Sequence, residues 1–264
     1  MRRLAPVGAL LACLSGCVMP PMGAMAEDTR AVGPSGIVAE REESGVGVER
    51  GVLKGRVVSS AGRPVAGAQV VADNQLLYNS NLIVTTDVDG HYRVETDVAA
   101  TFHATASFNV ERDGVAYEVE LRPEDDSPFA GPEGAIRNFT WKLTGAKPDG
   151  LGHYGGSVLF YLDGTDPGDP ETFLQDEGVE LTLTPQSPLL DGSPGEVITR
   201  RAARTPDGSG LLDVPIARYR ISAAHEGRPL QVRLRGSDAY AAEIVADFSQ
   251  HINSVYWIQL ELKL

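Results

Sequence analysis

The chain has 264 residues, 42% hydrophobic and 22% charged, with 29 Gly, 17 Pro and 2 Cys. That composition fits a folded globular protein and excludes a collagen, a coiled coil or a wholly disordered chain. A formal net charge of −13 repels nucleic acid and anionic lipid, so no nucleic-acid partner is expected.

Two Cys are too few for a disulfide-stapled scaffold or a four-cysteine zinc site. The length admits one large domain or two of about 100 residues each. After the N-terminus no run of about 20 apolar residues is available to cross a membrane.

Arg2 and Arg3 precede a short apolar run over residues 4–14, and Ser15-Gly16-Cys17 follows. A positive start, an apolar stretch too short to span and a small-residue cleavage site read as a secretory signal peptide. Leu14-Ser15-Gly16-Cys17 resembles the lipobox of bacterial lipoproteins; an ordinary signal peptide with an incidental Cys17 is the plainer reading. The resemblance implies that residues 1–16 are removed and that Cys17 becomes the lipidated first residue. Cys13 then leaves with the signal peptide, and the loss of Arg2 and Arg3 takes 23 basic residues to 21 against 36 acidic, a net −15. Two or more acyl chains hold a protein stably at a membrane, so the membrane is a partner through the anchor. By the sorting behaviour of that family, Val18 after the Cys implies the outer membrane, and the location is the cell envelope.

Residues 18–50 hold Pro20-Pro21, several Gly and the run Glu40-Arg41-Glu42-Glu43, with no apolar period. Together with Cys17 they are expected to form a disordered tether over 17–50. As a coil such a segment reaches about 30 Å.

From residue 51 the pattern alternates, with Leu53, Gly55 and Val57 interleaved between Val52, Lys54, Arg56 and Val58. Ala61-Gly62-Arg63-Pro64 then breaks the run and predicts a hairpin into residues 65–71. Thr85-Thr86-Asp87-Val88-Asp89-Gly90-His91-Tyr92 predicts a turn with Gly90 left-handed and Asp87 and Asp89 as turn formers. In the strand after it, Tyr92, Val94 and Thr96 share one face and His91, Arg93 and Glu95 the other. No long 3.6-residue period exists, so the class is all-β.

Gly55-Arg56-Val57-Val58, Gly62-Arg63-Pro64-Val65-Ala66-Gly67-Ala68-Gln69-Val70 and Thr86-Asp87-Val88-Asp89-Gly90-His91-Tyr92 resemble the carboxypeptidase regulatory-like domain. The resemblance implies a transthyretin-like β-sandwich over 51–145 and says little of function. Val179, Leu181 and Leu183 alternate with Glu180, Thr182 and Thr184, and Pro206-Asp207-Gly208-Ser209-Gly210 leads into strands over 211–222. A second, divergent immunoglobulin/transthyretin-like sandwich is therefore expected over 152–264. One mixed domain, with residues 136–145 paired to the C-terminal strand, is the alternative.

In the last strand Tyr256, Ile258, Leu260, Leu262 and Leu264 form an apolar face, leaving Trp257 with Gln259, Glu261 and Lys263 on the other. An outward Trp257 can stack on a sugar ring, unless a loop or the other domain covers it. Trp141, alternating with Phe139 and Leu143, is expected in the core. Arg218, Arg220, Arg233 and Arg235 alternate with apolar residues and should point outward. Their guanidinium forks suit the carboxylates of an acidic polysaccharide or protein, or else pair with Asp and Glu across strands. Asp163, Asp166 and Asp169 sit in one turn-rich loop, where hard oxygen ligands make weak calcium candidates, although the spacing is not that of an EF-hand.

No Gly-x-Ser-x-Gly elbow, phosphate-binding Gly-Lys loop, His-Glu-x-x-His or His-x-x-Glu occurs, and the five His are scattered. The sequence therefore points to a non-catalytic envelope protein with no cofactor and a binding or structural role. The resemblance to the carboxypeptidase regulatory-like domain, whose superfamily includes carbohydrate-binding folds, implies glycan binding. Docking of another envelope protein as an accessory or scaffold subunit is the alternative, and an unrecognised hydrolase is the third reading.

Overall fold

Nine short strands come from the first half of the chain: β1 (Val52–Ser59), β2 (Gln69–Asn74), β3 (Leu82–Thr85), β4 (His91–Glu95), β5 (Thr101–Arg112), β6 (Val115–Leu121), β7 (Phe129–Ala130), β8 (Ala135–Ile136) and β9 (Phe139–Trp141). The computed structural model describes residues 47–237 and 239–264; the expected signal peptide, Cys17 and nearly all of the expected tether lie outside them. β4-β1-β8 form one sheet, with β9 also on β1, and β3-β2-β5-β6 form the facing sheet, with β7 on β5. Leu53 and Val57 point inward from β1, Tyr92 from β4 and Phe139 from β9, against Val70, Ala72, Phe102, Ala104, Ala106 and Tyr117. Ala at alternate positions of β5 leaves room for the rings of the opposite sheet. Phe108 and Trp141 meet edge to face across it at 4.9 Å, which places Trp141 in the core as its alternation implied.

Two Gly of the quoted motif, Gly55 and Gly90, have a steric reason. Gly90 has φ +76°, and a Cβ there would lie 2.4 Å from the Val57 carbonyl oxygen. At Gly55 it would lie 1.9 Å from the Arg137 carbonyl oxygen, where the β8–β9 chain runs against β1. Asp87 works as a turn former: its Oδ1 accepts the N–H of Asp89 at 2.9 Å and of His91 at 2.8 Å.

The predicted hairpin at 61–64 is only half right. The chain reverses through a single bridge, Val58 to Pro64, and then crosses to the facing sheet. β1 has no edge left for β2, since β4 occupies one side and β8 and β9 the other. The Val65 N–H still donates to the Val57 carbonyl at 3.0 Å, and past it the chain leaves β1. β9 pairs parallel with β1, so the residues around 139–141 belong to this sandwich and not to the C-terminal strand.

The second half supplies β10 (Gly156–Leu162), β11 (Thr165–Asp166), β12 (Asp169–Phe173), β13 (Val179–Pro185), β14 (Ile198–Arg201), β15 (Ala203–Thr205), β16 (Gly208–Val214), β17 (Tyr219–His225), β18 (Arg228–Leu234), β19 (Ile244–Ala246), β20 (Ser249–Ile252) and β21 (Val255–Lys263). Strand order runs β14-β13-β17-β18-β21-β10-β16-β15, with β19 on β17 and β20 on β21. β18 turns the corner, pairing with β17 through residues 228–230 and with β21 through 231–234. That change of partner folds one long sheet into two faces around Leu181, Leu183, Tyr219, Ile221, Val232, Ile258, Leu260 and Leu262. The fold is all-β, built as two β-sandwiches.

The described residues from 47 onward make one compact unit with a continuous apolar core. At the seam Tyr256 Oη accepts the Glu118 N–H at 2.5 Å and donates to the Glu118 carbonyl at 3.0 Å. Tyr256 thereby satisfies the open edge of β6 in place of a strand. Asp213, left-handed at φ 58°, takes the N–H groups of Gly145 and Gly155 at 2.9 and 3.1 Å and fastens the connection between the halves.

Candidate ligand-binding face

The outward faces of β18, β21 and β10 adjoin. Register sets Arg233 beside Glu261 and Glu261 beside Tyr161, with Trp257 beside Ser157 further along. Because β21 alternates with period two, burying Tyr256, Ile258, Leu260 and Leu262 forces Trp257, Gln259, Glu261 and Lys263 outward. Arg235 N–H donates to the Gln259 carbonyl at 2.9 Å, which carries β18 one residue past its ladder and holds Arg235 over β10.

Each outward ring on this face meets a cation or an imidazole. The Arg235 guanidinium lies 4.1 Å from the Tyr161 ring centroid and donates to Tyr161 Oη at 2.7 Å. Arg233 and Lys263 both lie 4.4 Å from the Tyr240 centroid. The Trp257 indole stacks on His251 at 3.6 Å and 10°, because β20 folds back and pairs Ser249 with Trp257. Trp257 is thus half-buried, one face taken by His251, while Tyr161 stays 51% exposed. Arg233 gives its fork to Glu261 Oε2 at 2.7 and 2.5 Å, and that bond holds the guanidinium in its charged form more firmly.

Tyr161 also borders a groove of about 410 Å³ lined by Phe160, Asp176, Arg204, Thr205 and Ser209. Ser209 Oγ donates to Asp176 Oδ2 at 2.6 Å, and Arg204 Nε lies 3.6 Å from Glu177. An aromatic wall beside a carboxylate, a hydroxyl and a guanidinium is the layout that holds a polar ligand with an apolar face.

The four arginines singled out in the sequence do not form one surface. Trp257, Arg233 and Arg235 share the face just described. Arg218 and Arg220 lie elsewhere, because β18 leaves β17 after Leu230 and β19 takes over that edge. Arg218 forks onto Asp247 at 2.9 and 2.7 Å and reaches the Asp113 carbonyl at 3.5 Å. Arg220 donates to Gln186 at 3.1 Å and lies 3.6 Å from Glu243. Three of the four thus pair with carboxylates; Arg235, among the described residues, meets Tyr161 instead.

In the acidic loop each carboxylate has its own partner. Asp163 Oδ1 accepts the Thr165 N–H at 3.2 Å, and Asp169 Oδ1 that of Glu171 at 3.3 Å. Asp166 is buried, accepts the Gly168 N–H at 2.9 Å and binds Arg228 at 2.6 Å, and the Arg228 bond holds its carboxyl below the usual range. Among the described residues no group of three or more His, Cys, Asp or Glu is placed to hold a metal ion.

Tyr161, Tyr240 and the groove were not foreseen. β10 reads as an unbroken apolar run, Val158-Leu159-Phe160-Tyr161-Leu162, so alternation gives no inward or outward face. Tyr240 lies outside any strand and reaches the face through the 235–243 loop.

No protein-family model matches the chain, and no curated protein matches it. Solved structures that superpose on it include the Bacillus anthracis TIE protein, at 13% identity and TM-score 0.33, over 81% of this chain and 34% of that one. A C-terminal fragment of the pilus adhesin SpaC from Lactobacillus rhamnosus GG matches at 8% identity and TM-score 0.26, over 81% and 97%. A B repeat unit of the collagen-binding surface protein of Staphylococcus aureus matches at 9% identity and TM-score 0.22, over 82% and 100%. The chain spans about a third of the first of these. At such scores none of them bears on the site, which is read from its own geometry.

Proposed function

We propose that the chain is a non-catalytic binding protein of the cell envelope, anchored through lipid on Cys17, that takes a polysaccharide across the outward face of β10, β18 and β21. The observation that carries the reading is Tyr161, half exposed, fixed by Arg235 and standing at the mouth of the groove. A ring held by a guanidinium is ordered before ligand arrives, so stacking a sugar on it loses little side-chain entropy. Trp257 lies four residues along β21 from the Glu261 that neighbours Tyr161, about 13 Å away at strand rise. Two rings at that separation suit a chain of sugars better than a single one.

With Arg218, Arg220 and Arg233 paired to carboxylates, the charge argument for an acidic polymer weakens, and a neutral glycan is the ligand class favoured. Affinity electrophoresis of the chain through gels holding different polysaccharides tests this. One polymer should retard it, and Tyr161→Ala or Arg235→Ala should weaken that retention about tenfold, the effect of losing one stacking contact. Trp257→Ala should weaken it less, since Trp257 is half-buried whereas Tyr161 is exposed. Unretarded migration in every polymer, with one protein co-purifying in mild detergent, would replace this reading with docking of an envelope partner.

A further inference from the structure

The loop between β2 and β3 carries a second interaction surface. Leu76, Leu77 and Tyr78 are consecutive and 65%, 58% and 101% exposed. They are held out by a built turn: Asn74 Oδ1 accepts the N–H of Leu76 at 2.9 Å and of Leu77 at 3.0 Å, while Asn81 Oδ1 accepts the Asn74 N–H at 3.0 Å. Asn74 is itself buried, so the display is fixed from below. Three consecutive apolar side chains on a rigid tip are an unusual exposure for a soluble surface.

The position of the tip says what covers it. Gln75 N–H donates to the Thr101 carbonyl at 2.9 Å, and Thr96 N–H donates to the Gly51 carbonyl at 2.7 Å. The tip, the 96–101 segment and the entry of the chain into β1 are therefore at one end of the first sandwich. Val98, 50% exposed, and Val48, 62% exposed, lie at that same end. The 46 residues ahead of the described chain, with the lipobox-like Leu14-Ser15-Gly16-Cys17, join the fold at that end.

We propose that this end contacts the bilayer, with Leu76, Leu77 and Tyr78 entering the headgroup region beside the anchor. This rests on the lipid-anchored reading of Cys17. Leucine favours the acyl boundary, and tyrosine suits the interface through its apolar ring and polar hydroxyl. Asp73 and Asp97 flank the tip, and with the net −15 left after residues 1–16 are removed they select uncharged or zwitterionic headgroups over anionic ones. A bilayer contact would hold the sandwich beside its anchor and would fix which way the glycan face points.

Hydrogen exchange on the acylated protein in phosphatidylcholine vesicles, against the mature chain 17–264 carrying Cys17→Ser in solution, tests it. The 75–81 and 97–99 segments should exchange about tenfold more slowly on vesicles, as amides drawn from water do. Leu76→Ser/Leu77→Ser should abolish that slowing while the acyl mass on Cys17 is retained. Acylated protein with no slowing at the tip overturns the proposal. Concentration-dependent slowing in solution also overturns it, by making a second copy the occupant. If mass spectrometry finds no acyl chain, the anchor reading fails alone, and vesicle flotation decides the tip. Flotation lost in the double variant upholds bilayer contact, and no flotation of the parent sinks it.

Discussion

Replacing Tyr256 by Phe removes one oxygen and leaves a ring whose centroid lies 5.1 Å from that of Tyr117. The oxygen holds both backbone groups of Glu118, at 2.5 and 3.0 Å, on the open edge of β6. Without it a part-buried N–H and carbonyl lose the partner these bonds supply. A net hydrogen bond contributes about 0.5–1.5 kcal/mol, so two of them amount to about 2 kcal/mol. For a unit of this size each kcal/mol moves Tm by about 2–4 °C, giving a fall of about 4–8 °C. Tyr117→Phe is the internal control, because its hydroxyl reaches the Phe248 carbonyl only at 3.5 Å, at the limit of a bond. It should lower Tm by less than half as much. Scanning calorimetry of both variants reads the difference directly. Equal shifts, or a Tyr256→Phe shift below about 1 °C, would refute the idea that this hydroxyl stitches the two sandwiches together.

Buried tyrosines also set an alkaline limit. Burial pushes the Tyr117 and Tyr219 hydroxyls up from 10.0 to about 12, so the folded state keeps protons that the unfolded chain releases. Their stabilisation is whole below pH 10.0 and is lost as pH rises toward 12; urea midpoints flat across that window would contradict it. Asp166 works in the opposite sense. Its carboxyl is held below 3.8 by Arg228, so its contribution is present above that value and lost as pH falls below it. Asp166→Asn should flatten the acid limb of stability measured by circular dichroism, and an unchanged limb would remove Asp166 from the account. Gly90→Ala puts a Cβ 2.4 Å from the Val57 carbonyl oxygen at a φ of +76°. It should cost at least about 1–2 kcal/mol, seen as a lowered urea midpoint with unchanged slope. No loss of midpoint would mean that the turn can relax.

The sequence by itself determined which residues face inward wherever one sheet face is wet. The alternation in β4, β13 and β21 survives in the structure, because period two and one apolar core leave no other register; β1 keeps it from Leu53 onward, while Val52 at its start is buried as well. It also determined the Asp87–Gly90 turn, since the left-handed backbone and the side-chain cap are local effects.

Partners across sheets were decided only by tertiary structure. β2 could not stay beside β1 once β4, β8 and β9 had filled both edges, and no local signal near Pro64 records strands that arrive 25 to 80 residues later. The same holds for the face. Arg233 and Arg235 resemble Arg218 and Arg220 in their alternation, yet β18 changes sheets between Leu230 and Gln231 and sends the two pairs to different places. Tyr161 was hidden in an apolar run because β10, paired on both sides, buries Val158, Leu159 and Phe160 in succession. Alternation reports burial on one strand. Which side chains meet depends on strand order, and strand order follows from competition for edges over the whole chain.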